Sequence, residues 1–379
     1  MHNAVIAGYS RSPFTLSFKG GLKSVRPEDM LSQVIKSLIS NVNLNKDDIE
    51  DVIVGCAFPE GEQGFNIGKV VTFMCDLPSS VAGMTVNRWC GSSMQSIHNA
   101  AGSIAMGSGK VFICAGVESM TRVPMLGFNP MPHPDLLEQN PNVYLSMGVT
   151  AENVAKKYNI DRTQQQEFAI SSHEKANNAD TNGKFEDEIT IIKDKKVDVM
   201  KDGGIRPGTN QEVLSGLKLA FDNNGTVTAG TSSPLTDGAA ATLICEEEYA
   251  KSNNLEILAR IKSTAVNGCE PEVMGLGPIG ASKKALSRAG LKSSDLDIIE
   301  LNEAFASQSL ACVKDLELDE KSVNIDGGAI ALGHPLGATG ARITGKAAQL
   351  LKREGKKFAL ATQCIGLGQG IATVLEAVE

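Results

Sequence analysis

Of the eight cysteines, at 56, 75, 90, 114, 245, 269, 312 and 364, one stands in a setting suited to nucleophilic chemistry. Cys90 lies in Asn87-Arg-Trp-Cys-Gly-Ser-Ser-Met94, just ahead of a small-residue helix start. Free backbone N–H groups and the positive helix end there would favour a thiolate. The commoner fate of an intracellular cysteine, a small buried hydrophobe, is assigned instead to Cys114 and Cys245, which sit within apolar runs. His334 stands in the glycine-dense Gly327-Gly-Ala-Ile-Ala-Leu-Gly-His-Pro-Leu-Gly-Ala-Thr-Gly340, with Pro335 suited to a first helical turn. A cysteine facing a histidine is the nucleophile–base arrangement, although a turn histidine satisfied by backbone fits the spacing equally well. Cys364, in Gln363-Cys-Ile-Gly-Leu-Gly-Gln-Gly370, follows an apolar strand and enters a loop whose exposed N–H groups suit an oxyanion; an inert strand-end cysteine is the alternative. Asn302 and Glu303 end another buried strand, as site residues or as a turn and cap.

Two motifs of other chemistries carry less weight. Gly275-Leu-Gly-Pro-Ile-Gly280 matches a dinucleotide fingerprint, but Cys269 to Met274 stands where a strand should lead into the turn. Gly340-Ala-Arg-Ile-Thr-Gly-Lys-Ala347 nearly matches a phosphate loop but lacks the hydroxyl that would hold magnesium and reads as mid-helix. No C-x-x-C pair is present, so neither a zinc site nor a disulfide frame is expected. With a net charge of −8 there is no global basic field for nucleic acid or an anionic membrane. No apolar run approaches a membrane span, and without a signal-type N-terminus the expected location is the cytoplasm.

The elements that must position these residues repeat. Leu44 to Phe58 resembles Leu291 to Phe305, at an offset of 247 positions, and Gly109 to Ala115 resembles Gly355 to Ala361, at an offset of 246. Two matches at nearly one offset predict duplicated halves. Within each, strands at 51–55, 111–115 and 238–245, and at 298–301, 358–362 and 370–376, alternate with helices, which implies an α/β fold. A helix is predicted over 91–106, with Ile97, Ala100, Ala101, Ile104 and Ala105 on one face. His334 follows Cys90 by 244 positions, so a pseudo-twofold packing would bring the two helix starts together. Residues 121–224 have no counterpart: Pro-rich turns precede an amphipathic helical stretch over 150–178.

These residues together resemble the thiolase family over essentially the whole chain. The resemblance runs through the Cys90 block, Met147-Gly-Val-Thr-Ala-Glu-Asn153, Thr226-Val-Thr-Ala-Gly-Thr-Ser-Ser233, Asn302-Glu-Ala-Phe305, the His334 block and Cys364-Ile-Gly366. It implies two α/β halves in five layers, α-β-α-β-α, with an inserted loop domain. The expected boundaries are 1–120 with 225–258, 121–224, and 259–379. It implies that Cys90 is acylated, that His334 activates it and contributes to an oxyanion hole, and that Asn302 holds a water completing that hole. Cys364 would move the proton at Cα, and the N–H groups of Cys90 and Gly366 would form a second hole. Ser233 would contact pantetheine, Arg206 the nucleotide end of coenzyme A, and Phe221 and Met147 its flanks. Acyl-CoA and CoA are the implied small-molecule partners, CoA as co-substrate with no tightly bound cofactor and no metal. A homodimer or homotetramer is implied, and a multifunctional β-oxidation subunit is left open as a partner. Ser146, where many biosynthetic members carry His, and Leu367 in Cys-Ile-Gly-Leu-Gly lean toward a degradative 3-ketoacyl-CoA thiolase, the alternative being an acetyltransferase that forms acetoacetyl-CoA. Met125, Leu126, Phe128 and Met131 are then candidates to wall an acyl tunnel.

Overall fold

The computed structural model describes residues 2–195 and 198–378. Ten strands are present among them: β1 (Ala4–Arg11), β2 (Thr15–Leu16), β3 (Asp51–Gly55), β4 (Ala82–Val86), β5 (Val111–Ser119), β6 (Thr236–Glu246), β7 (Ala259–Gly268), β8 (Ile298–Leu301), β9 (Phe358–Ile365) and β10 (Gln369–Glu376). They form one hydrogen-bonded path in the order β4-β3-β5-β6-β1-β7-β10-β9-β8, with β2 paired to β6. The path is two half-sheets joined where Val5 and Ile6 of β1 meet Arg260 and Ala259 of β7.

The halves match strand for strand. β3 runs parallel to β5, which pairs antiparallel with β6, and β6 with β1. In the second half β8 is parallel to β9, β9 antiparallel to β10, and β10 antiparallel to β7. The counterpart of β4 beside β3 is reduced to one parallel bridge, Ile299 to Val323.

Side chains alternate across each strand, so every strand feeds two layers. Val52, Val54, Ile113 and Ala115 face outward onto the helix Pro27–Asn41, where Met30, Leu31, Val34, Ile35 and Leu38 form one apolar stripe. Ile53, Phe112 and Cys114 face inward with Ala359, Ala361, Ile365 and Ile371 of the other half. Between the two half-sheets lie the helices Ser92–Ala105 and Leu336–Arg353. Ala281, Ala285, Leu286, Cys312 and Val313 cover the far face of the second half-sheet. The layers are therefore helix, sheet, helix, sheet, helix, as the resemblance implies.

A helix between two sheets must be apolar or small on every side. Fifteen of the 18 residues of the Leu336 helix are buried, most of them Ala, Gly, Thr, Ile or Leu. The two central helices touch closely enough that a Cβ at Gly340 would fall 2.2 Å from the backbone nitrogen of Met94. On the Ser92 helix the expected face holds for Ile97, Ala100 and Ile104, whereas Ala101 is half-buried and Ala105 exposed.

The stretch between β5 and β6 departs from expectation in one respect. The amphipathic run is two helices, Met147–Tyr158 and Arg162–Thr181. Asn159 at φ 53° ends the first in left-handed geometry, and a capping box of Asp161 with Gln164 starts the second. This stretch is tied into the core by buried charge. Arg11 of β1 pairs with Glu188 at 2.7 Å and makes two bonds to Asp202, while Lys346 of the Leu336 helix reaches Glu188 at 2.8 Å and Asp326 at 2.9 Å. Burial pushes the Glu188 carboxyl up, but Lys346 and Arg11 outweigh it and hold it below the ordinary range. Removing one member would strand buried charges. Arg11→Met is expected to lower stability by about 3–5 kcal/mol, read as a drop in the denaturant midpoint. An unchanged midpoint would show that the network does not tie this stretch to the sheet.

Candidate active site

Cys90 is delivered by a tight turn. Trp89 sits at φ 46°, a left-handed conformation unusual for a bulky residue and found mainly where the surroundings enforce it. The motif residues are that enforcement. Asn87 Oδ1 accepts from Trp89 N at 2.9 Å, and Asn87 Nδ2 donates to Ala57 O. Arg88 N donates to Ser92 Oγ, whose hydroxyl donates to Trp89 O at 2.6 Å. The Arg88 guanidinium reaches Gln95 at 2.9 Å and Gln369 at 2.8 Å, fastening the turn to the start of β10. Ser93 Oγ accepts from Ala341 N of the other central helix at 2.8 Å.

His334 occupies the equivalent place in the second half. Cys90 and His334 each stand two residues ahead of their helix. Gly333, at φ 106° with its α-carbon against Thr236, allows the turn into His334. Leu336 packs in one buried cluster with Cys90 and Phe58, which places the two helix starts together. Both imidazole nitrogens are engaged: Nδ1 lies 2.6 Å from Thr339 Oγ1, and Nε2 lies 3.4 Å from Asn302 Nδ2. The Thr339 hydroxyl donates to Pro335 O at 2.9 Å. It therefore accepts from Nδ1–H, which leaves the Nε2 lone pair as the basic site.

Cys364 is the penultimate residue of β9 and is buried. It lies within the strand rather than in the loop beyond it, because the β9–β10 ladder continues to the Ile365–Gln369 pair. The loop is the turn Gly366-Leu367-Gly368, with Leu367 at φ 65° and Gly368 at φ 80°. The Gly366 N–H points at the Cys90 sulfur, as does the N–H of Cys90 itself. Gln363 Nε2 donates to Cys90 O, tying β9 to the cysteine turn. The site thus joins Cys90, His334, Cys364, Asn302 and Gly366 from both halves.

Electrostatics qualifies the sequence expectation of a thiolate. Burial pushes the Cys90 thiol up to about 12, against the Gly366 and Cys90 N–H donors, and nearby Glu118 adds to the rise. Desolvation outweighs the helix start here, so the resting group is a neutral thiol. Burial also pushes Cys364 well above the ordinary thiol value, with Cys90 the next cause. Burial, and then Arg342, lower His334 to about 3, so the imidazole is neutral. Two neutral thiols and a neutral base form a set ready to transfer protons rather than a standing ion pair.

The expected coenzyme contacts are placed unevenly. Met147 packs with Cys364 and Phe305. Phe221, part-exposed, stacks edge-on against Phe305 at 5.9 Å. Ser233 is half-buried and its N–H donates to Ala304 O beside Asn302-Glu303. Arg206 is exposed, its backbone held by its N–H to His173 Nδ1 at 3.3 Å and by its carbonyl, which accepts from Thr209 Oγ1 at 2.9 Å. Beside the Cys90 turn lies a mainly apolar cavity of about 360 Å³, lined by Phe58, Trp89, Met131, Tyr144, Met147 and Leu367 among others. Met125, Leu126 and Met131 line it as expected, whereas Phe128 turns away to Gly61 and Glu60.

Sequence reasoning missed three supporting residues. Thr339 and Thr236 hold His334, the latter by accepting from its N–H at 3.1 Å. Glu118, buried at the end of β5, accepts from Ala57 N and Gly337 N, both at 2.8 Å, and so joins the segment after β3, to which Asn87 also bonds, to the start of the Leu336 helix. Thr339 stood inside the quoted His334 motif; Thr236 and Glu118 are marked only by the fold. Both discounted motifs are structural: Gly340 to Ala347 is mid-helix, and Gly277 and Gly280 pack against Gln369 and Asn267.

Known proteins agree with this architecture. A family model described as "Thiolase, N-terminal domain" matches residues 4–248, and one described as "Thiolase, C-terminal domain" matches 255–377. The 3-ketoacyl-CoA thiolase of Shewanella frigidimarina (strain NCIMB 400) is 49% identical over 392 residues, covering 100% of both chains. That of Bacillus subtilis (strain 168) is 43% identical over 389 residues, covering 99% of this chain and 100% of its own. Human mitochondrial 3-ketoacyl-CoA thiolase in complex with CoA superposes with a TM-score of 0.92 at 36% identity, over 100% of this chain and 98% of that one. The Bacillus anthracis acetyl-CoA acetyltransferase superposes with a TM-score of 0.92 at 37% identity, over 100% and 99%. A cysteine turn and a histidine turn brought together from duplicated halves, in a chain matched nearly end to end by both family models, place this protein in the thiolase family.

Proposed function

We propose that this thiolase is an acetyl-CoA C-acyltransferase, a 3-ketoacyl-CoA thiolase of fatty acid β-oxidation. It cleaves a 3-ketoacyl-CoA with free CoA into acetyl-CoA and a shortened acyl-CoA. The observation that carries this reading is the pair of buried neutral thiols, Cys90 and Cys364, gathered with neutral His334 at one end of the central layer.

The roles follow from the contacts. The Cys90 sulfur attacks the 3-keto carbon while its proton passes to His334 Nε2. The Gly366 and Cys90 N–H groups, which already point at this sulfur, stabilise the oxyanion formed there. The C2–C3 bond breaks, the acyl group stays on Cys90, and the acetyl-CoA enolate takes its proton at C2 from Cys364. Protonated His334 and a water held by Asn302 stabilise the enolate oxygen. Asn302 Oδ1 is buried with no hydrogen-bond partner among the described residues, which leaves it an acceptor for that water. After acetyl-CoA leaves, the Cys364 thiolate regains its proton from solvent. The incoming CoA attacks the thioester as its thiolate, having lost its proton to solvent, and the released Cys90 sulfur recovers its proton from His334. Coenzyme A is a co-substrate, with Ser233 at pantetheine, Arg206 at the nucleotide end, and Phe221 and Met147 at the flanks.

The division into 1–120 with 225–258, 121–224 and 259–379 accompanies this reading. A homodimer or homotetramer is supported by the half-exposed edge strand β4, with Phe73 on the adjoining helix 65% exposed and Phe65 96% exposed. Among the described residues no helix is long and apolar enough to cross a membrane, and the protein is read as cytoplasmic, with a multifunctional β-oxidation subunit as a further partner.

Thiolysis with free CoA across acyl chain lengths tests the substrate class. Each buried methylene contributes about 0.8 kcal/mol, so the apolar cavity should raise kcat/KM roughly fourfold per CH2 until it is filled. Flat or falling kcat/KM from four to eight carbons would favour the alternative instead, an acetyl-CoA C-acetyltransferase that forms acetoacetyl-CoA.

A further inference from the structure

We propose that Glu300 and Arg342 form a positioning pair that sets the basicity of His334 from one layer behind the reacting atoms. The proposal rests on the reading of His334 as the base. The two residues come from the two elements that hold His334. Glu300 and Asn302 stand two apart along the end of β8, on one face. Arg342 follows Thr339 by three residues on the Leu336 helix, again on one face. Arg342 Nη1 donates to Glu300 Oε2 at 3.2 Å, and both side chains are buried. The pair is therefore carried by the same two segments as the contacts of the imidazole.

The pairing is poor as a stabilising device. Arg342 Nε and Nη2 and Glu300 Oε1 have no hydrogen-bond partner among the described residues. A buried ion pair joined by a single bond is commonly less stable than an apolar replacement, so its placement asks for another reason. The reason available is charge. The Arg342 guanidinium opposes protonation of His334, and the Glu300 carboxylate cancels that charge. Burial lifts Glu300 to about 7 against the pull of Arg342 and Lys346, so cancellation switches on through neutral pH. The other titratable groups facing the pair are Tyr9 from β1, Lys346 from the same helix, Asp326 ahead of it, and Glu188 from the stretch between β5 and β6. The last three are bound to one another. Facing the reacting end are Cys90 and Cys364, with Glu118 joined to Gly337. Cys90 near 12 and His334 near 3 cannot themselves give a pH limb at 7.

The test is the rate of Cys90 acylation by an acyl-CoA without free CoA, followed by rapid quench and peptide mass from pH 5.5 to 9. In the wild type the rate should rise through a limb near pH 7. Glu300→Gln should lose the limb and run about tenfold slower at pH 8, the scale of one uncompensated charge nearby. Glu300→Gln combined with Arg342→Met should regain most of the rate and stay flat, which a purely structural role would not give. A limb retained in Glu300→Gln, or a double variant no faster than the single, overturns the proposal. If Glu300→Gln does not fold, the double variant decides: flat and near wild-type supports the pair, and a limb or a tenfold loss overturns it. A wild type that does not acylate Cys90 at all would instead remove the underlying reading, before any variant is compared.

Discussion

Cys364→Ala is expected to accept an acyl group onto Cys90 from a simple acyl-CoA at close to the wild-type rate, yet to cleave a 3-ketoacyl-CoA about a hundred- to ten-thousand-fold more slowly. Acyl transfer between thioesters moves no proton at carbon. Cleavage does, because the acetyl enolate must be protonated at C2 as the C–C bond opens. Burial keeps Cys364 a thiol, which is the form that can give that proton, and losing a positioned general acid has a cost in the stated range. The two half-reactions are measured separately, by mass spectrometry of the acylated protein and by release of acetyl-CoA. Equal loss in both would mean that Cys364 supports the site as a whole and does not divide the labour with Cys90.

His334→Ala should strike the other half-reaction. With the Cys90 thiol raised to about 12, roughly one molecule in ten thousand carries a thiolate at pH 8. Without a base to take the proton, acylation should fall by about ten-thousand-fold and then recover about tenfold per pH unit as alkali does the work. The sign follows from the two shifts. Cys90 titrates far above neutrality, so the variant gains with pH. His334, lowered to about 3, is already unprotonated across the neutral range, so its own titration adds nothing to the wild-type profile there. A His334→Ala variant with the wild-type pH profile would place the base elsewhere.

Much of this site was legible in the sequence because its residues sit at the ends of strongly patterned elements. The apolar strands at 51–55 and 298–301 appear with the expected bounds, and the near-constant offset between halves foretold that Cys90 and His334 would start paired helices. What the pattern concealed was of two kinds. β4, Ala82-Gly-Met-Thr-Val86, is a half-exposed edge strand without a run of buried apolar residues, so periodicity had nothing to register. Cys364 was read beyond its strand because Gln363 and Cys364 break an apolar run, although pairing with Ile371 and Gly370 carries β9 onward. The thiolate expected at Cys90 from the sequence is overturned by burial. The helix start is visible in the residues, but the depth of burial that overrides it comes from both half-sheets at once.

The central claim is that Cys90 carries the acyl group, and brief incubation with acetoacetyl-CoA followed by digestion and peptide mass analysis tests it most directly. The account predicts one acetyl thioester on the peptide containing Cys90, removed when free CoA is added. An acetyl group found on Cys364, with Cys90 unlabelled, would contradict it.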